Sequence, residues 1–422
     1  MSVMAPNSIA IIAAPPEKTR SNDTLYPYKQ CTNLTYLCGF PEPDSVLLLI
    51  PNRIQGEFVL FCRDKDPLRE IWDGYRQGPD GARNNFAADD AFPIDDIDDI
   101  LPGLLEGKSH VYYSIGKDAE FDKRMMQWTS ELWKDNSRNQ AKPGELKDLD
   151  HLLSEMRLIK SSAEIKLMRK AADITARAHR RVMTYCSTHL SEYHLQAEIE
   201  HEFMSAGATG PAYTSIVGAG KNACVLHYIE NRDKLKSGDL VLIDAGCEYK
   251  NYAADITRTF PVNGKFTSSQ AAVYDIVLAA QTAAIKQIAP GLSFHLGNQA
   301  AIQVITEGLI ELGILRGDVN KLIDDGAYRQ FYMHNVSHWL GMDVHDVGDY
   351  KIDDHWRILE PGMVLTVEPG IYIASDNNEV DKKWRGIGIR IEDNVLVTKR
   401  GNEILTDAVP RNREQIEQLM AG

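Results

Sequence analysis

The stretch HNVSHWLGMDVHDVG, residues 334–348, holds three histidines, His334, His338 and His345. Imidazoles bind metals, move protons and hydrogen-bond substrates, and in many proteins they only fill a core. His334 and His338 stand four apart, which is the spacing of two zinc ligands on a helix in H-E-x-x-H peptidases. The residue after the first histidine is Asn335, where that motif has its catalytic glutamate. A helical zinc site is therefore disfavoured, and the histidines need partners from elsewhere in the chain.

Two aspartates interrupt apolar runs about 90 residues before the histidines. Asp244 follows four aliphatic residues in LVLIDAGC, and Asp255 begins DITRTF eleven residues later. A buried carboxylate without a partner is very costly, so each is paired or binds a cation. A hairpin through residues 249–252 would bring both aspartates side by side. The alternative for each alone is a turn residue at a strand end.

Two glutamates repeat this pattern after the histidines. Glu368 ends the strand-forming run MVLTVE, and Glu392 follows Arg390 by two residues in GIGIRIED, on the same strand face. The alternative for Arg390 and Glu392 is a same-face ion pair. Four acids that interrupt four strands, together with a histidine cluster, are harder to explain by structure alone.

This donor set has the chemistry of a metal site. Carboxylates at close range raise each other's pKa unless cations lie between them. Oxygen-rich ligation with one imidazole favours manganese among divalent ions, with cobalt, zinc or iron as alternatives. With so many carboxylates, two ions about 3.5–4 Å apart are expected, bridged by carboxylates and a water that is acidified into a hydrolytic nucleophile.

The ordered set of motifs resembles the pita-bread metallopeptidases, and among them the aminopeptidase P family most. The motifs are Asp244 in DAG, Asp255 in DITRTF, His338 in SHWLGMDVHDVG, Glu368 in VEPGIY and Glu392 in RIED. The stretches TRSNDTLYPYKQCTNLTYLCGFPEPDSVLLL and FCRDKDPLREIWDGYRQG resemble the N-terminal domain of that family. The resemblance thus covers nearly the whole chain and implies an α+β fold, a C-terminal pita-bread domain with a smaller α/β N-terminal domain.

The domain boundary is predicted in the polar segment DNSRNQAKPGELKDLD, which contains Pro143 and Gly144. It follows the strand-like runs and a predicted helix over 118–134. Residues 1–148 would form the aminopeptidase P-type N-terminal domain, with roles in oligomerisation and cleft closure. Residues 149–422 would form the catalytic domain with the dinuclear site. The first 115 residues read as strands separated by turns, and the acidic stretch 89–100 reads as a solvated surface segment.

The resemblance assigns a metal role to each of five residues. Asp244 would hold one ion, Asp255 and Glu392 would bridge both, and His338 and Glu368 would bind the second. Glu368 would also lie near the bridging hydroxide as the candidate proton acceptor.

The remaining site residues are expected to act around the metals. His227 in CVLHY, His334 and His345 would line the substrate site without being permanent ligands, core packing or support of the ligands being the alternative. Arg390 would steady one of the two bridging carboxylates, because outer hydrogen bonds orient metal ligands. One departure from the family is Asn335, where relatives usually have glycine.

The activity implied is a metal-dependent aminopeptidase that removes any N-terminal residue ahead of a penultimate proline. An X-Pro bond lacks the N–H that many peptidases grip, whereas a dinuclear site holds the free amino terminus and the scissile carbonyl. The bridging hydroxide would attack, His345 or His227 would polarise the carbonyl, and Glu368 would pass a proton to the proline nitrogen. Trp339 and Tyr372 are candidate walls for the proline ring, with core packing as the alternative for Trp339.

Other proteins with a pita-bread domain provide the alternative functions. A prolidase would use the same metal site on X-Pro dipeptides only. A methionine aminopeptidase generally lacks so large an N-terminal domain. A non-catalytic or creatinase-like pita-bread protein is disfavoured because all five ligand types are present.

The bulk composition bears on partners and location. The net charge of −14 argues against nucleic acid or an anionic membrane as the main partner, and no apolar run is long enough to cross a bilayer. The six cysteines show no CxxC pair, so reduced thiols and a cytoplasmic enzyme are expected. The family resemblance implies a homodimer or homotetramer, in which Trp72 of the N-terminal domain closes a neighbour's cleft. A buried core position is the alternative for Trp72.

Overall fold

The computed structural model describes residues 1–134 and 142–422 and divides into two compact units, Met1–Leu153 and Ser154–Gly422. The predicted boundary at residue 148 lies a few residues before this division. Residues 135–141 of the predicted boundary segment lie outside the described residues.

The first unit is built on a mixed six-stranded sheet in the order β6-β5-β4-β1-β7-β8. Strand β1 pairs antiparallel with β4 and parallel with β7. Its successive side chains point to opposite faces, so Ile9 and Ile11 join one apolar cluster and Ala10 and Ile12 join another. The strands are β1 (Ser8–Ala13), β2 (Thr19–Ser21), β3 (Thr24–Leu25), β4 (Val46–Leu49), β5 (Phe58–Cys62), β6 (Asp90–Pro93), β7 (His110–Tyr113) and β8 (Glu145–Lys147).

Helices interrupt this unit more often than the sequence predicts. The reading of the first 115 residues as strands and turns is wrong where four short helices lie between the strands. The acidic stretch is also not merely a solvated segment, because Ile97, Leu101 and Leu105 are buried at helical spacing while Asp98 and Asp99 of the same helix are exposed. The helices are α1 (Thr32–Cys38), α2 (Pro67–Asp73), α3 (Gly78–Phe86), α4 (Ile97–Leu105) and α5 (Ala119–Lys134), followed by α6 (Leu149–Leu158), which spans the division.

The second unit packs helices against short antiparallel sheets. Its first long helix starts at a capping box in which Ser161 and Glu164 each satisfy the other's backbone amide. The helices are α7 (Ser162–Tyr185), α8 (Glu192–Ser205), α9 (Ser268–Ile285), α10 (His295–Glu311), α11 (Val319–Asp324) and α12 (Arg413–Ala421).

Two sets of strands place the candidate site. In one, β11 pairs with β10 and β14, and in the other, β20 pairs with β17 and β21. A bridge between Thr257 and Glu392 links them, so the ends of four strands meet. The strands are β9 (Gly210–Pro211), β10 (Ile216–Ala219), β11 (Leu240–Asp244), β12 (Cys247–Tyr249), β13 (Tyr252–Ala253), β14 (Thr257–Pro261), β15 (Lys351–Ile352), β16 (His355–Trp356), β17 (Val364–Val367), β18 (Gly370–Ile373), β19 (Ile387–Arg390), β20 (Asp393–Thr398) and β21 (Gly401–Ile404).

The six cysteines are free thiols in the structure, as expected for a reduced protein. They are distributed over both units, and two of them, Cys62 and Cys247, are buried. In the part of the chain that the structure describes, no helix combines the length and the apolar character needed to cross a membrane.

Candidate metal centre

The two predicted aspartates lie side by side on the expected hairpin. Asp244 is the last residue of β11 and faces Thr257 of β14. Between them β12 and β13 pair through Tyr249 and Tyr252, as the sequence predicts. Asp255 lies just before β14 and is buried, so both carboxylates reach the same end of the sheet.

A glycine in the DAG motif permits this approach. A Cβ on Gly246 would lie 1.7 Å from the carbonyl oxygen of Ala254, the residue before Asp255, so a side chain at this position would push the hairpin apart. The two carboxylates also share one hydrogen-bond donor, since the Tyr213 hydroxyl contacts both Asp244 and Asp255. Tyr213 is a site residue that the sequence analysis missed, because it lies in a loop without a recognisable pattern.

The two glutamates enter from the other set of strands. Glu368 follows β17 directly, and its backbone amide donates to the carbonyl of Val336 at 2.8 Å. The Glu392 amide donates to the Thr257 carbonyl at 3.0 Å, and its carboxylate accepts from the Thr257 hydroxyl at 2.7 Å. These bonds tie each glutamate to a neighbouring segment of the site.

His338 faces three of these acids. Its Nδ1 donates to the backbone carbonyl of Trp339 at 2.9 Å, which leaves Nε2 free to meet the carboxylates. Nε2 lies 3.3 Å from Asp255 and 3.6 Å from Glu368. Ligand atoms of Asp255, His338 and Glu392 all lie within 4.8 Å of one another. As predicted, residues 334–348 contain no helix.

The protonation of this group indicates a cation site. Burial, and then the neighbouring carboxylates, raise the pKa of Asp255 and of Glu392. Burial raises the pKa of Glu368 to about 7. Burial opposes protonation of His338, but its hydrogen bond to Asp255 and the charge of Glu368 raise its pKa to about 9. Divalent cations among these groups would remove the mutual repulsion and displace the protons, so the donor set fits a metal centre.

Arg390 contacts a different carboxylate from the predicted ones. Its guanidinium donates to Asp244 at 2.7 Å, to the Tyr372 hydroxyl at 2.9 Å and to the Thr257 hydroxyl at 3.1 Å. Its direct carboxylate partner is therefore Asp244, which was not predicted, and it reaches the predicted Glu392 through the Thr257 hydroxyl. The antiparallel pairing of β18 and β19 aims the guanidinium at the end of β11.

His334 lies next to this arginine. Its Nδ1 donates to the carbonyl of Asn335 at 2.8 Å, and its Nε2 accepts from the Tyr372 hydroxyl at 2.9 Å. Burial lowers the pKa of His334 to about 4, so the ring is neutral. Asn335 does not have a positive φ, so the backbone there does not require the glycine that relatives usually carry.

The other two histidines line the same cleft. The His345 ring centroid lies 4.3 Å from that of His338, and burial lowers the pKa of His345. His227 lies on the loop that follows β10 and also lines the cleft. The cavity has a volume of about 590 Å³, and the residues around it include Tyr213, Leu226, His227, Ile229, Asp244, Asp255, Phe294, His295, Asn298, His334, Asn335, His338, Val344, His345, Tyr350, Trp356, Glu368, Arg390 and Glu392.

Three aromatic residues with predicted roles at the substrate lie outside the cleft of this chain. Trp339 is fully buried against Phe294 and Tyr350 and is a core residue. Tyr372 is also buried, and its hydroxyl holds Arg390 and His334, so it is not a wall of the cleft. Trp72 is 84% exposed on α2 of the first unit, which excludes the core position considered as its alternative within this chain.

Sequence comparisons assign the chain to a class that this geometry fits. Residues 166–399 match Metallopeptidase family M24, and residues 1–112 match the Aminopeptidase P, N-terminal domain. The first match covers more than half of the chain, so the chain belongs to metallopeptidase family M24.

Individual relatives narrow the class. The chain is 49% identical to the Xaa-Pro aminopeptidase of Escherichia coli K12, over 99% of this chain and 95% of that protein. It superimposes on the Pseudomonas aeruginosa aminopeptidase PepP with a TM-score of 0.98 and 56% identity, covering 100% of this chain and 95% of that one. The zinc-substituted E. coli aminopeptidase P in complex with product gives a TM-score of 0.96 at 48% identity, over 99% and 95% of the two chains. The predicted family, fold class and metallo-exopeptidase class are confirmed.

Proposed function

We propose that the chain is a Xaa-Pro aminopeptidase, which hydrolyses the bond between an N-terminal residue and a penultimate proline at a centre of two divalent ions. The observation that carries this proposal is the convergence of four carboxylates and one imidazole at one end of two sheets, inside a cleft of peptide size. Curated relatives named Xaa-Pro aminopeptidase over nearly the full chain support it.

Asp244 would hold one ion, Asp255 and Glu392 would bridge, and His338 and Glu368 would hold the other. When bound, the ions would lower the pKa of a water towards neutrality and polarise the scissile carbonyl. Manganese is our choice because the donors are mostly oxygen, with cobalt, zinc and iron as the alternatives.

Glu368 has the position to move a proton. It is half-buried, 3.7 Å from His334 and 3.6 Å from His338, where it would take a proton from the attacking water and give it to the proline nitrogen. The attacking water would supply this proton, its hydroxide going to the carbonyl carbon, and the proline nitrogen would leave as a protonated amine when the C–N bond breaks.

Three imidazoles line the part of the cleft where the substrate would be oriented. His334 is held as a neutral ring by Asn335 and Tyr372, and His345 and His227 face the same cleft. The single N–H of neutral His334 is bonded to Asn335, so His345 and His227 are the rings that would donate to the scissile or adjacent carbonyl oxygen. Arg390 holds the Asp244 carboxylate through an ion pair at 2.7 Å, which fixes its orientation.

The assay that tests this function compares an X-Pro-Y tripeptide with an X-Pro dipeptide, using metal-stripped protein reloaded with Mn²⁺, Co²⁺, Zn²⁺ or Fe²⁺. We expect hydrolysis of the tripeptide, dependence on metal and the highest rate with Mn²⁺. Cleavage of the dipeptide alone would identify a prolidase, and no cleavage of either with full metal loading would refute the proposal.

We further propose that the enzyme is a cytoplasmic homodimer or homotetramer. Helix α2 buries none of its residues and exposes Leu68, Ile71 and Trp72, with Tyr75 just beyond it. Exposed apolar patches of this kind mark interaction sites. A second copy of the chain is the partner that the family resemblance implies, with Trp72 at the mouth of the neighbour's cleft.

A further inference from the structure

Gln281 contacts both strands that carry the candidate glutamate ligands. It is fully buried on α9, and its Nε2 lies 3.3 Å from the carbonyl oxygen of Val367 and 3.2 Å from that of Ile391. Val367 directly precedes Glu368, and Ile391 directly precedes Glu392. One side chain thus holds the last peptide group before each of two acids that lie far apart in sequence.

A third contact anchors this amide. Its Nε2 lies 2.9 Å from one carboxylate oxygen of Asp393, whose other oxygen accepts from Arg258 at 2.7 Å and from Thr406 at 2.6 Å. All four residues are buried with no exposed surface. Two N–H groups serve three acceptors, so one of them is shared. The amide is therefore fixed from both sides.

Packing alone does not explain a glutamine at this position. The buried neighbours Val277, Ala280 and Ala284 on the same helix are apolar. The Gln281 Oε1 has no hydrogen-bond partner among the described residues, which is a cost that an apolar side chain would avoid. What the amide adds is the link between the two ligand-bearing strands.

We propose that Gln281 is a positioning residue of the metal centre, setting the separation of the backbones before Glu368 and Glu392 so that both carboxylates reach the ion that they would share. The inference rests on the proposed function, because it takes these acids as ligands. Metal ions tolerate only small errors in ligand distance, and groups that orient ligands from behind commonly control affinity.

The test is Mn²⁺ binding by the metal-stripped full chain with Gln281→Met, measured by isothermal titration calorimetry. Methionine has a similar length and is unbranched, so it fills the space without the amide. We expect the Mn²⁺ dissociation constant to rise about 10–100-fold. Gln281→Asn keeps the amide but is one methylene too short to bridge the strands, so we expect a similar loss of Mn²⁺ affinity. It replaces the methionine variant in the test if that variant does not fold.

Gln270→Met is the matched control. Gln270 lies on the same helix and is buried, and its amide donates to the Gly238 carbonyl at 2.8 Å, away from the ligands. It should lower thermal stability at least as much, since it also loses a helix cap, but leave Mn²⁺ affinity unchanged. Unaltered affinity in the Gln281 variants, or an equal loss in the control, would overturn the inference. If the wild-type protein binds no Mn²⁺, the proposed function itself fails.

Discussion

Arg390 illustrates how one side chain organises the site. Its side chain is 3% exposed and its positive charge lies beside the acids of the site. Its three guanidinium nitrogens donate to residues of three different strands, Asp244, Tyr372 and Thr257. A planar fork of donors allows this, whereas the single ammonium of lysine cannot reach all three in fixed directions. Asp244 and His334 therefore share one organiser, because Tyr372 passes the contact to His334.

Arg390→Lys keeps the charge but loses the fork, so we expect kcat on an X-Pro-Y tripeptide to fall about 10–100-fold at saturating Mn²⁺. Arg385→Lys is the matched control, because Arg385 bonds Val380 and Asn378 outside the cleft. Steady-state kinetics on both variants give the comparison. An Arg390→Lys enzyme with wild-type kcat would show that the geometry of the fork is not needed.

The acids were predictable at this scale, and several of their supports were not. Asp244, Asp255, Glu368 and Glu392 stand out because a charged residue in an apolar strand needs a reason. Tyr213 and Gln281 carry no such signal, since a tyrosine in a loop and a glutamine in a helix are ordinary. Their roles depend on distances across the fold, which spacing along the chain does not contain. The same limit explains why Asp244 was not predicted as the direct partner of Arg390.

At the scale of elements, the β11–β14 hairpin decides whether the two aspartates meet. Its turn places Lys250 and Asn251 at positive φ, and the pairing then returns the chain to Asp255 beside Asp244. The approach is closest at Gly246, where the neighbouring backbone occupies the space of a Cβ. The glycine of the DAG motif thus serves the metal centre through the spacing of the hairpin.

Gly246→Ala should separate the hairpin strands, lower the free energy of unfolding by about 1–3 kcal/mol through overpacking, and weaken Mn²⁺ binding. Denaturant unfolding and metal titration measure the two effects. Gly103→Ala is the control, because a Cβ there meets no atom within 4 Å and alanine favours the helix it lies on. Normal stability and metal affinity in Gly246→Ala would contradict the role given to this contact.

The short helices were the elements that the sequence patterns did not predict. Helices α2 and α3 contain proline and glycine and bury few residues, so their patterns resemble turns. Strands β1, β4, β5 and β7 and the long helix α7 were predictable, because they combine apolar patterning with length. Strand β6 lies in the acidic stretch and β8 in the polar boundary segment, so neither has the pattern of a strand.

At the scale of the whole molecule, stability is coupled to pH through a buried histidine. His179 on α7 has no exposed surface, and its Nε2 donates to the Ala245 carbonyl at 2.9 Å, while Nδ1 has no partner among the described residues. Burial lowers its pKa from 6.5 to about 4. Above pH 6.5 both folded and unfolded chains hold it neutral, and between pH 6.5 and 4 only the unfolded chain takes up the proton.

Acidification from pH 7 to 4 should therefore remove about 3 kcal/mol of unfolding free energy through this residue. His179→Gln should reduce that part of the decline, even if its stability at pH 7 is lower. Urea unfolding of metal-free protein across this range measures the slope, with the exposed His189→Gln as control. Parallel curves for wild type and His179→Gln would rule the residue out as the source.

Assembly is the second property of the whole molecule. If α2 forms the interface between copies, Trp72→Ala combined with Leu68→Ser should shift the protein towards monomer and lower its activity on tripeptides, because the neighbour no longer closes the cleft. Analytical ultracentrifugation and tripeptide kinetics report the two effects. Met126→Ser removes another exposed apolar residue of the first unit and is the control. An unchanged oligomer with unchanged activity would remove α2 and Trp72 from the interface.

Each of the two units contains free thiols whose rate of alkylation can be measured separately. Burial raises the pKa of Cys38 to about 11 and of Cys62 to about 12 in the first unit, and that of Cys247 to about 11 in the second. The thiolate is the form that alkylating reagents attack, so the folded protein should react slowly at these positions. The rate at which iodoacetamide marks each one would then report how often that half of the chain opens, and whether Mn²⁺ slows the opening of one half more than the other.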